Sequence, residues 1–142
     1  MFEEYIKNNT FGMTEAEALN HNVLVFAFVG DAVFTLFVRD YFASSSTKKA
    51  GELHTKTSKI VKASFQAKLI DELDSILTER ERQICKTARN TSTHNIAKNS
   101  NLEEYKKATS FESLIGYLYL TKQDERLKEI LEKCKQIFQS EK

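Results

Sequence analysis

The chain has 142 residues, 41% of them hydrophobic and 29% charged, and a formal net charge of +1. This composition suits one soluble globular domain with one hydrophobic core, and it excludes a disordered or fibrous chain. With no proline and only 4 glycines, long helices joined by short turns are expected, so the predicted fold class is all-α.

The first ten residues, MFEEYIKNNT, lack the basic start and apolar run of a signal peptide. A cytoplasmic location follows as an expectation. Thr14-Glu15-Ala16-Glu17 has the spacing of a capping box and predicts a short helix. Asn20-His21-Asn22 breaks it. Residues 23–42 then read as one long helix, apolar on nearly every side until Arg39-Asp40, and therefore as a central buried helix. The apolar run 23–38 falls short of the roughly 20 residues a membrane span needs. Asp31 at its middle would cost about 2.5–3.5 kcal/mol on insertion. A membrane span is excluded.

Residues 43–47 form a loop. A helix over 52–73 is predicted from Leu53, Ile60, Val61, Ala63, Ala67 and Ile70 at rough helical spacing, with lysines on the other side. Thr78-Glu79-Arg80-Glu81 is a second capping box and opens a helix to about residue 88. Residues 89–100, RNTSTHNIAKNS, are polar and poor in helix formers. They are expected to be a loop of the length that is often functional. Asn101 caps one helix, or two abutting ones, over 102–120, with a second apolar run, FESLIGYLYL. The last helix, 124–139, is amphipathic. No internal repeat is visible. One catalytic domain over 1–142, with its core in about 15–135, is the expected organisation.

The near-neutral total hides an uneven distribution. Residues 47–68 carry six lysines against the single acid Glu52, and residues 82–102 carry Arg82, Lys86, Arg89 and Lys98 with no acid. Acids gather in 71–81 instead. If the two basic segments share a surface, that face suits a polyanion; otherwise the lysines are solvated helix faces. Cys85 and Cys134 have no metal-site or redox spacing and read as reduced, inert thiols. His21, His54 and His94 are too dispersed to form a ligand motif.

Two acids stand out. Asp31 and Glu112 each interrupt an apolar helix, and each helix has a glycine, Gly30 or Gly116, that would let helices approach closely. A charge in an apolar run costs free energy unless it is compensated. Either each acid has its own basic partner, or both converge on one cation. Oxygen-only ligands completed by water and phosphate describe a Mg²⁺ or Mn²⁺ site. Beside a basic face, such a site suggests metal-dependent phosphodiester chemistry.

Phe28-Val29-Gly30-Asp31-Ala32-Val33 resembles the first motif of ribonuclease III endonuclease domains. Phe111-Glu112-Ser113-Leu114-Ile115-Gly116 resembles the second. With no room for a double-stranded-RNA-binding domain, the chain is similar to the Mini-ribonuclease III family over roughly residues 15–135. Supporting stretches are Leu53-His54, then 63–68 (ASFQAK), and Ala88-Arg89-Asn90 followed by Lys98-Asn99. The resemblance implies an all-α homodimer that cleaves double-stranded RNA with Mg²⁺, for which Mn²⁺ can substitute, and leaves 5′-phosphate ends. It implies Asp31 and Glu112 as catalytic metal ligands. It implies a precursor of large-subunit ribosomal RNA as substrate, with a ribosomal protein or precursor particle as a further partner. Arg89, Asn90, Lys98 and Asn99 are the candidate RNA-binding residues. Longer relatives carry acids where Leu24, Ala27 and Thr109 stand here, so the ligand set is thin. The alternative is a non-catalytic RNA-binding or ribosome-associated module of the same fold.

Overall fold

The computed structural model describes residues 11–45, 49–91 and 101–141. Among the described residues seven α-helices follow in order: α1 (Glu15–Leu19), α2 (Val23–Ser45), α3 (Ala50–Val61), α4 (Ala63–Leu73), α5 (Glu79–Thr91), α6 (Leu102–Leu120) and α7 (Asp124–Gln139). A 3₁₀ turn, Asp74–Ile76, links α4 to α5, and there is no strand among the described residues. The expected all-α class is what forms.

The predicted helix starts hold. At α1, Thr14 Oγ1 accepts from the Glu17 amide at 3.1 Å and the Glu17 carboxylate accepts from the Thr14 amide at 3.2 Å. The same reciprocal pair links Thr78 and Glu81 at α5, at 3.1 and 2.9 Å. Asn101 Oδ1 accepts from the Glu104 amide at 3.2 Å and starts α6. Each cap satisfies donors that the first turn of a helix leaves unpaired.

Two expectations need correction. Residues 52–73 were expected to form one helix, but the chain breaks at Lys62, which is extended with φ −71° and ψ 156°. A straight helix would carry its buried stripe from Ile60 through 63 and 64, yet both of those positions are exposed. The break resets the phase so that α4 buries Gln66, Ala67, Leu69, Ile70 and Leu73. Packing overrides local propensity here.

The second correction concerns which helix is central. α6 is buried without interruption from Ala108 to Leu118 except at Glu112, and it packs on α2, α4 and α5. α2 buries only one stripe, Val23, Phe26, Gly30, Phe34 and Val38. Its other side is open: Phe28 is 80% exposed, Leu36 54%, and Leu24 and Val25 37% each. No described helix is long and apolar enough to cross a membrane.

The core is apolar and aromatic, with Phe34 edge-on to Phe111 at 4.8 Å between ring centroids. Its few polar groups are paired across helices. Ser113 Oγ donates to the Val23 carbonyl at 3.2 Å, and Ser110 Oγ to the Cys85 carbonyl at 2.7 Å. Glu81, 3% exposed, receives two hydrogen bonds from Arg126, at 2.9 and 2.8 Å. Burial alone would raise the Glu81 carboxyl, but Arg126 and the Thr78 amide outweigh it and hold it below the usual carboxylate range. Cys85 and Cys134 are buried free thiols, both pushed up to about 12 by desolvation. That agrees with the inert role expected of them.

Candidate active site

The site is built on the crossing of α2 and α6. At Gly30 a Cβ would lie 1.8 Å from the Glu112 carbonyl oxygen, and at Gly116 it would lie 1.8 Å from the Phe26 carbonyl oxygen. No side chain other than hydrogen fits either position, so the two backbones touch. Close approach of this kind is one of the few situations that require glycine. Asp31 follows Gly30 on α2, and Glu112 sits one turn before Gly116 on α6. The crossing therefore brings the two carboxylates together.

Their contact is direct. Glu112 is half-buried and Asp31 is exposed, and the two side chains share a hydrogen bond. Burial, followed by that hydrogen bond and the charge of Asp31, pushes Glu112 up to about 8. At neutral pH the pair thus holds a proton on Glu112, the more buried partner, which donates to Asp31. Of the two readings open from sequence, separate basic partners are not what surrounds Glu112. The described groups that act on it are Asp31 and Gln66, and neither is a cation. A cation between two facing carboxylates would let both ionise at neutral pH. The donor set, hard oxygens alone, fits a divalent ion of the Mg²⁺ or Mn²⁺ kind.

The set is thin. No group of three or more His, Cys, Asp or Glu side chains converges among the described residues. Thr109 donates its hydroxyl to the Tyr105 carbonyl at 3.0 Å.

The other candidate residues scatter. Arg89 and Asn90, expected in a loop, lie in the last turn of α5. Arg89 is half-buried and acts on the Cys85 thiol, while Asn90 is exposed. Lys98 and Asn99 lie outside the described residues. In the lysine-rich segment, Lys56, Lys59 and Lys62 line a groove of about 600 Å³ with Phe42, Phe65 and Phe138, and Lys56 lies 5.9 Å from the centre of the Phe42 ring. Lys68 is instead paired with Glu141.

One site neighbour was not singled out from sequence. Gln66 of α4 is 2% exposed and its Nε2 has no hydrogen-bond partner. It nevertheless lies close enough to Glu112 to favour the ionised form. The only sequence signal was a glutamine inside the stretch 63–68 (ASFQAK).

Comparison with known proteins decides the family. The Ribonuclease III domain model matches residues 24–123. The chain belongs to the Mini-ribonuclease III family. It is 42% identical over 119 residues to the Mini-ribonuclease 3 of Clostridium tetani, an alignment covering 83% of this chain and 79% of that one. The Mini-ribonuclease 3 of a Thermoanaerobacter species is 37% identical over 131 residues, 92% of each chain. A crystal structure of a Fusobacterium nucleatum protein superposes with a TM-score of 0.71 at 30% identity, covering 80% of this chain and 90% of that one. The chain is an endoribonuclease, and the non-catalytic alternative falls away. The matched region contains both acids and both glycines of the helix crossing.

Proposed function

We propose that the protein is a divalent-metal-dependent endoribonuclease that cleaves double-stranded RNA, with Asp31 and Glu112 as its metal ligands. The observation that carries this reading is the facing pair itself, with Glu112 raised to about 8 and no cation among the described groups that act on it. A structural acid would be given a basic partner, as Glu81 is given Arg126. When bound, a divalent cation supplies Lewis-acid activation of water and neutralises charge on the phosphate.

The chain's own residues do the rest. Glu112 gives up its proton as the ligand pair forms, and the pair then holds two negative charges where the RNA backbone must approach. Lys56, Lys59 and Lys62 of the α3–α4 segment offer phosphate contacts, with Arg89, Asn90, Lys98 and Asn99 as further RNA-binding residues. Recognition follows helix shape, phosphates and 2′-hydroxyls, because side chains cannot read the deep major groove of A-form RNA. Cleavage leaves 5′-phosphate ends. The substrate is a precursor of large-subunit ribosomal RNA in the cytoplasm, free or in a precursor particle. The whole of 1–142 acts as one catalytic unit.

The functional form is a homodimer. Leu24, Val25, Phe28 and Leu36 form an exposed apolar stripe along α2, and Phe28 lies one turn from Asp31. A stripe of this kind on a soluble protein marks an interface. A second copy of α2 would cover it and set a wall beside the site. Sedimentation at micromolar concentration is expected to give twice the chain mass, and Phe28→Glu to give the monomer.

The test of function is cleavage of a base-paired RNA, with Mg²⁺ or EDTA, by the wild type and by Asp31→Asn. Cleavage by the wild type in Mg²⁺ alone, lost in the variant, is expected. Full activity of Asp31→Asn, or cleavage in EDTA, overturns the assignment.

A further inference from the structure

Gln66 occupies a position that packing alone would give to an apolar residue. It is buried in the same stripe of α4 as Ala67, Leu69 and Ile70, and an unpaired buried amide costs about 1–3 kcal/mol. Other buried hydroxyls near the site are already committed to backbone carbonyls: Ser113 to Val23, Ser110 to Cys85, and Thr109 to Tyr105. The Gln66 amide group is not. Its Nε2 has no hydrogen-bond partner, and it lies beside Glu112. The break at Lys62 places it there, because the Phe65 and Gln66 amides both donate to the Lys62 carbonyl, at 3.1 and 3.0 Å, and start α4 at that point.

We propose that Gln66 is a positioning residue for Glu112: its buried Nε2 donates to the Glu112 carboxylate and fixes the orientation in which that carboxylate meets a divalent cation. This rests on the metal-binding reading of Asp31 and Glu112 given above. The helix that carries Gln66 packs on the helix that carries Glu112, and Nε2 is the buried donor there that no other described group takes up. Groups behind a ligand commonly set metal affinity in this way, and their loss costs about 10–100-fold in affinity.

The test is direct Mn²⁺ binding to the full chain, followed by electron paramagnetic resonance of the free ion, together with thermal melting in EDTA. Gln66→Leu is expected to bind Mn²⁺ about 10–100-fold more weakly, with a melting temperature equal to or above that of the wild type. An apolar group of similar shape removes the unpaired donor, which is neutral or stabilising. Unchanged Mn²⁺ affinity with a lowered melting temperature would mean that Gln66 only packs, and overturns the proposal. Should Gln66→Leu not fold, the wild type decides. Its Gln66 side-chain amide resonances are expected to move with Mg²⁺ in step with the backbone amides of Asp31 and Glu112. Resonances that stay still while those backbone signals move overturn the role of Gln66 alone. A wild type that binds no Mn²⁺ overturns the metal reading itself, and Gln66 with it.

Discussion

Two acids in this molecule are withdrawn from water, and their surroundings are opposite. Glu81 is 3% exposed and held by two hydrogen bonds from Arg126 and one from the Thr78 amide. Its carboxyl lies below the ordinary range. Glu112 is less buried, but the charged group that acts on it among the described residues is another acid, and its carboxyl is pushed up to about 8. The first arrangement is complete and ties α5 to α7. The second is incomplete among the described residues, and under the proposed function a divalent cation completes it. A group left electrostatically unfinished at a backbone crossing is more informative about function than one whose partners are all present.

The comparison can be broken from either side. The largest effect is expected at the unfinished pair: Asp31→Asn or Glu112→Gln should lower RNA cleavage in Mg²⁺ by about 1000-fold or more, a loss of several kcal/mol of transition-state stabilisation. At the finished pair, Arg126→Ala should leave cleavage chemistry in place but destabilise the fold by about 3 kcal/mol, because it strands a buried carboxylate. Adding Glu81→Leu to an Arg126→Met background should recover most of that loss in urea unfolding.

A smaller effect separates the two acids by pH. Glu112 is raised above its unfolded value, so the stability it contributes is fully present below about pH 4.5 and is lost as pH rises through about 8. Glu81 is lowered, so its contribution is present above the unfolded value and is lost on acidification. In EDTA, Asp31→Asn should therefore raise the melting temperature at pH 8 by a few degrees, about 1 kcal/mol, and do little at pH 5. The smallest effect belongs to the exposed pair Lys68–Glu141: Lys68→Ala should shift stability by less than about 0.5 kcal/mol, and less again in high salt.

Much of this arrangement is written locally in the chain. Thr14, Thr78 and Asn101 announce helix starts because a short side chain and a backbone amide three residues on make the cap by themselves. Gly30 and Gly116 announce a close crossing, and that crossing joins Asp31 to Glu112. What is not local is not legible. The break at Lys62 has no proline or glycine to mark it and arises from how α4 must turn to meet α6. The outer face of α2 reads as core because a residue such as Phe28 looks the same whether its own domain or another surface covers it. Gln66 is a polar letter in an amphipathic helix, and only the packing of α4 on α6 shows that it is buried. Arg89 and Asn90 were expected in a loop because RNTSTHN is poor in helix formers, yet α5 runs on to Thr91, held by the packing of Ile84, Cys85 and Ala88.

The contact between Gly30 and the Glu112 carbonyl has a consequence for how this enzyme can change. The spacing of its two acids is set at the crossing by backbone against backbone, with no side chain between Gly30 and the Glu112 carbonyl to trim or enlarge. On the proposed metal-binding reading, retuning the site toward a larger or smaller ion cannot proceed by sliding α2 along α6. It must proceed through side-chain length, by exchanging aspartate and glutamate at 31 and 112, one methylene at a time.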